Sequence, residues 1–140
     1  MGKINSGRVL LGGIVAGIVI NVLEYLVHDV ILKAEHAEGM KALGKTMPEG
    51  GSTIAVWTVY GLVWAIVAVW LYAAIRPRFG PGAKTAIIAG ITVWFFDSLL
   101  PGIAMWNMTL MPFSTVQHVL ELVVQVIAVI AGAAVYKEAA

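Results

Sequence analysis

Four long apolar segments constrain the fold of this 140-residue chain more than any other feature. They cover residues 9–30, 52–75, 85–105 and 113–136, and each has about the 20 residues that cross a hydrocarbon core of roughly 30 Å. Inside a bilayer the backbone must satisfy its own hydrogen bonds, so a spanning segment of this length forms a helix. The sequence therefore predicts an all-α integral membrane protein, with residues 1–140 forming a single bundle of four transmembrane helices.

The composition supports this prediction. The chain is 60% hydrophobic and 12% charged, whereas soluble domains average about 45–50% and about 25%. A water-soluble domain of this size would lack polar residues to cover its surface, so the lipid bilayer is the predicted environment. The net charge of +1 includes no basic arm for nucleic acid, and the absence of cysteine excludes disulfides and thiolate ligands.

The distribution of Lys and Arg predicts the orientation. The loop at residues 31–51 carries three lysines, which are outnumbered by its three glutamates together with Asp29. The positive residues that lack nearby acids lie in the N-terminal tail and in the turn between the second and third segments: Lys3, Arg8, Arg76, Arg78 and Lys84. Since cytoplasmic loops are enriched in Lys and Arg, we expect both termini on the cytoplasmic side of a bacterial inner membrane.

Two further features concern the connections. The 31–51 loop has Ala and Leu residues interspersed with charges, which predicts a short amphipathic helix ended by "MPEGG". In addition, the pairs Ala16-Gly17 and Ala89-Gly90 are each followed seven residues later by an acid, and "MP" and then "ST" follow both. These matches predict two duplicated helical hairpins, although short matches in apolar sequence also arise by chance.

Polar residues at helical spacing form a stripe on the first segment. Its members recur at steps of four, four, three and four, which places them on one helix face: Gly13, Gly17, Asn21, Glu24 and His28. The two glycines form a GxxxG pair, which allows a neighbouring backbone to approach closely.

The fourth segment carries a matching stripe: His118, Glu121, Gln125, Ala128 and Gly132. Because the two helices run in opposite directions, both stripes have the order His, Glu, carboxamide and small residue when followed from the 31–51 loop side. We therefore expect the stripes to face each other. Tyr60 of the second segment falls close to the depth of the two glutamates, and Asp97 of the third segment falls somewhat deeper, nearer the middle of the membrane.

This polar cluster permits several interpretations. Carboxylates within hydrocarbon are costly, so they must face one another, a partner, water or an ion. The first interpretation is an interhelical hydrogen-bond network without a cofactor. The second is a metal site for zinc, iron or manganese formed by Glu24, His28, His118 and Glu121, since carboxylate and imidazole ligate metals inside helical bundles. The third interpretation is a haem bound between His28 and His118. The fourth is a proton-coupled path or a small-molecule site.

The remaining polar and aromatic residues receive simpler interpretations. His36 is expected to be solvated beside two glutamates of the loop. The five tryptophans are expected to face lipid or the membrane interface. Pro101-Gly102 predicts a kink in the third helix.

The stretch "AVWLYAAIRPRFGPG", residues 68–82, and the size of the chain resemble small four-helix integral membrane proteins of bacteria. That resemblance implies the fold and no established activity. Since no nucleophile–base pair, phosphate loop or hydrolase motif is present, an enzyme is the weaker expectation. The function predicted from sequence is that of a small accessory or oligomeric membrane protein, acting by helix packing with itself or with a larger complex. The alternative is a metal-binding, haem-binding or proton-coupled transport protein that uses the Glu/His cluster.

Overall fold

The computed structural model describes residues 3–138 and shows helices but no strands within that range. Its four long apolar helices, here called spans 1 to 4, are Ser6–Ile31, Gly51–Phe79, Ala83–Asn107 and Thr115–Val135. Each is long and apolar enough to cross a membrane, which confirms the prediction of an all-helical chain with four such helices. Residues 1, 2, 139 and 140 of the predicted domain lie outside the described range.

A fifth helix, Lys33–Ala42, occupies the first part of the connection between spans 1 and 2 and is called the loop helix. The first and last described residues lie at the opposite end of the bundle, where the Tyr136 hydroxyl accepts a hydrogen bond from the Asn5 backbone N–H at 3.3 Å. The two ends of the bundle are called the loop end and the termini end below.

Local sequence determines where the spans begin and end. Span 1 begins after Asn5, whose side chain accepts from the Arg8 backbone N–H at 3.1 Å, and span 4 begins after Ser114, whose hydroxyl accepts from the Gln117 N–H at 3.2 Å. Such caps satisfy helix-terminal donors that have no partner within the helix. Span 2 extends to Phe79 and stops at Gly80, whose φ of 84° favours glycine.

Spans 1 and 3 each contain a π-helical turn, at Leu26–Ile31 and Phe95–Leu99. The first is closed by a hydrogen bond from the Leu32 N–H to the Val27 carbonyl at 2.8 Å. The second comes just before Pro101, which has no N–H to donate to the preceding turn, and the α-helix resumes at Leu100–Asn107. A π-helical turn is one recognised source of a kink, and such turns often occur at functional sites.

Span 1 packs between spans 2 and 4, and span 4 also packs against span 3. Spans 1 and 4 approach each other closely at Gly12 and Gly132, where a Cβ added to Gly132 would lie 2.6 Å from the Gly12 carbonyl oxygen. The neighbouring Ala16 and Val69 are fully buried. Small residues therefore allow the two helix backbones to meet in the termini half of the bundle.

The GxxxG pair of span 1 does not face span 4. A Cβ added to Gly13 or Gly17 would lie 2.6 Å from Ile66 or Leu62 respectively, and both of these belong to span 2. The residues predicted to form one stripe belong to two adjacent rows of side chains on span 1. The prediction joined them because residues three apart and residues four apart are both neighbours on a helix surface. Gly13, Gly17 and Asn21 form the row toward span 2, whereas Gly12, Ala16, Glu24 and His28 form the row toward span 4.

The tryptophans divide into two groups. Trp57, Trp70 and Trp106 are exposed on the outside of the bundle, as expected of lipid-facing or interfacial residues. Trp64 is buried, and the Trp94 indole N–H donates to the His118 carbonyl at 3.0 Å. The expectation of a lipid-facing or interfacial position is therefore wrong for Trp64, whereas Trp94 is partly exposed and for it the expectation stays a prediction.

Candidate ion-binding site

A cluster of one imidazole and two carboxylates lies near the loop end, between spans 1 and 4. The His28 Nε2 atom lies 3.0 Å from Glu24 Oε2 and 3.3 Å from Glu121 Oε1. One potential ligand atom from each of the three residues lies within 4.8 Å of the other two. Glu24 belongs to the last α-helical turn of span 1, and His28 belongs to the π-helical turn that follows.

Glu121 is buried and is oriented by side chains from two spans. The Ser98 hydroxyl of span 3 donates to Glu121 Oε2, and the Gln117 amide of span 4 donates to Glu121 Oε1 at 2.8 Å. Hydrogen bonds of this kind fix the direction of a carboxylate that binds a metal. Ser98 and Gln117 were not recognised in the sequence, because neither belongs to a Glu/His pattern.

His36 of the loop helix covers the cluster. Its ring stacks on His28 with centroids 5.0 Å apart, and its Nε2 atom lies 2.9 Å from the side-chain oxygen of Gln117. Only 8% of His36 is exposed, so the expectation of a solvated residue is wrong. The signal that sequence analysis missed is the spacing of Leu32, His36 and Met40, which recur at steps of four and are all buried.

Asp97 forms a second polar centre that joins spans 2, 3 and 4. It accepts hydrogen bonds from the Tyr60 hydroxyl and from the Gln125 amide, the latter at 3.3 Å. The π-helical turn of span 3 thus presents Asp97 to this centre and the adjacent Ser98 to Glu121. Asn21 joins neither group, since its amide donates to the Gly17 and Thr58 carbonyls at 2.8 and 3.3 Å.

His118 lies apart from the cluster. Its Nδ1 atom is 2.7 Å from the Ser114 carbonyl, its ring stacks on Phe113 with centroids 4.6 Å apart, and its Nε2 edge lies against Gly102. The structure therefore does not bring together the predicted four-ligand set with two histidines. Haem ligation by His28 and His118 together stays a prediction.

The geometry of the remaining three residues is compatible with two kinds of chemistry. A protonated imidazole can bridge the two carboxylates as a buried ion pair, in which each charge is compensated. Alternatively, an unprotonated Nε2 and two carboxylate oxygens can bind one cation. Zinc binds nitrogen and oxygen at about 2.0–2.2 Å, which in a tetrahedral shell separates neighbouring ligand atoms by roughly 3.3 Å. The two distances at His28 Nε2 are close to that separation.

Comparison with known protein families, with proteins of known function and with solved structures gave no match to this chain.

Proposed function

We propose that this protein is a multi-pass membrane protein that binds a divalent transition-metal ion through Glu24, His28 and Glu121. The observation that carries the proposal is the position of His28 Nε2, at 3.0 and 3.3 Å from oxygens of the two glutamates. These separations suit three ligand atoms on one face of a metal shell. The proposal rests on residues from two spans, so metal binding would join spans 1 and 4.

The donor set favours particular ions. Carboxylate oxygen and imidazole nitrogen suit zinc, iron and manganese, whereas copper(I) favours the thiolates that this chain lacks. Three protein ligands leave a fourth tetrahedral position for water or another molecule, as in sites that exchange a ligand. We therefore propose an exchangeable ion, as transport or sensing requires, with Glu24, His28 and Glu121 as ligands.

Three further residues would support these ligands. Ser98 and Gln117 hold the Glu121 carboxylate, and His36 packs on the outer face of the His28 ring. Removing residues that hold metal ligands in place typically weakens metal binding by about 10–100-fold. The loop helix would thus contribute to binding without supplying a ligand.

The test is a metal titration of purified, metal-free protein in mild detergent. We expect calorimetry to show one zinc ion per chain, and X-ray absorption to show a shell of nitrogen and oxygen without sulfur. Glu24→Gln and His28→Ala should each weaken binding by about 100-fold or more. Asp29→Asn is the matched control, because Asp29 is exposed, adjacent to His28 and outside the cluster. The zinc affinity of this variant should match that of the wild type.

Failure to bind zinc, iron or manganese would contradict the metal proposal. The same three residues would then form the ion-paired hydrogen-bond network described above, and proton-coupled transport through Glu24, Asp97 and Glu121 would become the interpretation to test.

The second candidate function is that of an accessory or oligomeric membrane protein. It is favoured by the outer face of span 2, where Trp57, Tyr60 and Trp70 are 62%, 48% and 51% exposed. With few residues outside the spans, a partner would be met largely within the bilayer. Blue-native electrophoresis in mild detergent tests this candidate: a complex larger than one chain would support it, and a monomer alone would contradict it.

We further propose a bacterial inner-membrane location with both termini cytoplasmic, on the basis of the Lys and Arg residues of the N-terminal tail and the 76–84 turn. Since the chain contains no cysteine, single-cysteine variants can report the orientation. A membrane-impermeant maleimide should label Thr46→Cys in intact cells and should label Ala83→Cys only after permeabilisation. The reverse pattern would contradict this orientation.

The duplication of two hairpins is also proposed. The proposal rests on the sequence matches, because with Glu24 aligned on Asp97 the π-helical turn of span 1 corresponds to residues 99–104 and not to Phe95–Leu99. Superposition of residues 9–75 on residues 82–136 tests it. Equivalent positions for Glu24 and Asp97 would support a duplication, and different positions of these two residues within their hairpins would oppose it.

A further inference from the structure

A groove of about 400 Å³ lies between spans 2 and 3. Its lining is almost entirely apolar and aromatic: Tyr60, Val63, Trp64, Val67, Leu71, Thr92, Val93, Phe96 and Asp97. Val63, Val67 and Phe96 are 56%, 52% and 65% exposed, so the groove is open along the surface of the bundle. In a membrane this opening would face the lipid chains, and a molecule would enter it from the bilayer.

Polar atoms of the groove concentrate toward the loop end. Asp97 accepts a hydrogen bond from Tyr60 there, and it is the only charged residue among those that line the groove. The rings of Tyr60, Trp64 and Phe96 belong to the same lining. Aromatic faces and a carboxylate both attract cations, and the effect grows where water is excluded.

We infer that this groove binds a lipid-soluble monocation, with its charge at Asp97 and its apolar body along the walls of spans 2 and 3. Charge complementarity carries the choice of occupant: the lining offers one carboxylate and no basic side chain that would attract an anion. A neutral lipid chain would gain nothing from the carboxylate, which is itself costly within hydrocarbon. The volume lies within the range of about 300–1,000 Å³ typical of small-molecule sites.

This inference does not depend on the proposed metal site. The groove uses none of the three proposed metal ligands, and the hydrogen bonds that Asp97 accepts come from Tyr60 and Gln125. Binding of a monocation can therefore be measured in metal-free protein, and Glu24→Gln should leave its affinity nearly unchanged. Either proposal can fail while the other holds.

The experiment is equilibrium dialysis of purified protein in mild detergent with tetraphenylphosphonium. Tetraphenylborate is the control, since it has nearly the same shape and the opposite charge. We expect saturable binding of the cation at one site per chain and no saturable binding of the anion. Asp97→Asn, which keeps the shape of the side chain, should weaken cation binding by about tenfold or more.

A second pair of variants tests the location. Val67→Trp places a large ring in the groove and should abolish binding, whereas Val59→Trp adds the same ring to an exposed position of span 2 outside the lining and should have no effect. Circular dichroism and thermal unfolding would establish that each variant is folded. Equal binding of the borate anion, unchanged affinity in Asp97→Asn or equal effects of the two tryptophan variants would overturn the inference.

Discussion

The two ends of this bundle are held together in different ways. The termini half uses regular α-helix and small residues, with the backbones of spans 1 and 4 meeting at Gly12 and Gly132. The loop half contains both π-helical turns and joins its helices through side chains such as Glu121 and Asp97. Because lipid is as apolar as the helices, close packing of small residues is a main source of helix association, and polar contacts add little each. We therefore expect the termini half to contribute most of the stability, whereas the loop half holds the candidate ion-binding site.

The largest expected effect is on stability and comes from the termini half. Gly132→Ala places a Cβ 2.6 Å from the Gly12 carbonyl oxygen, and neither backbone can move without separating the helices. We expect the free energy of unfolding, measured by denaturant titration in mixed micelles, to fall by about 3 kcal/mol. The control is Gly51→Ala, where an added Cβ meets no atom within 4 Å and should change stability by less than about 0.5 kcal/mol. Equal effects of the two substitutions would remove the distinction between the two halves.

The second prediction concerns the ligand set in the loop half. Glu121→Gln keeps the shape of a side chain that is 7% exposed and removes its charge. Zinc affinity measured by calorimetry should fall by about 100-fold, while the free energy of unfolding of the metal-free protein should change by less than about 1 kcal/mol. If Glu121→Gln lowered the free energy of unfolding as much as Gly132→Ala does, the loop half would contribute to the stability of the fold as much as the termini half.

A smaller effect is expected at His36. Since His36 stacks on His28 and contacts Gln117 at 2.9 Å without supplying a ligand, His36→Ala should weaken zinc binding by about tenfold. His118→Ala removes the other buried histidine of the loop half and should leave zinc affinity unchanged, because His118 lies outside the ligand group. The opposite ranking in a calorimetric titration would identify His118 as the functional histidine.

The smallest effect is expected at Asn21, which joins spans 1 and 2 through the Thr58 carbonyl at 3.3 Å. Asn21→Ala should lower the free energy of unfolding by about 0.6 kcal/mol, the average for a polar contact between membrane helices. Zinc affinity should not change, because Asn21 does not reach the cluster. A marked loss of zinc binding in this variant would mean that the two rows of span 1 act together.

Much of the architecture could be predicted from the sequence, because hydrocarbon imposes a length and a composition on any helix that crosses it. The same reasoning placed Glu24 and Glu121 at one depth and His28 one helical turn closer to the 31–51 loop, since rise per residue converts position along a helix into height. The structure indeed brings these three side chains together.

The sequence could not show which neighbour each helix row would meet. Gly17 and Ala16 are adjacent in the chain, yet they contact different spans, and this depends on how the helices cross. Helical periodicity also assumes 3.6 residues per turn, so it does not reveal the π-helical turn at Leu26–Ile31. His36 was missed because its burial depends on the loop helix folding back over the bundle.

The position of His36 depends on residue number as well as on side-chain identity. A π-helical turn holds about one residue more than an α-helical turn, so deleting one residue from Leu26–Ile31 and restoring a narrow turn would keep the loop helix at nearly the same angle to Glu24. Deleting one residue between this turn and His36 would instead rotate the loop helix by about 100°, the advance of one α-helical residue. The imidazole of His36 would then point away from that of His28, and the candidate site would lose its cover.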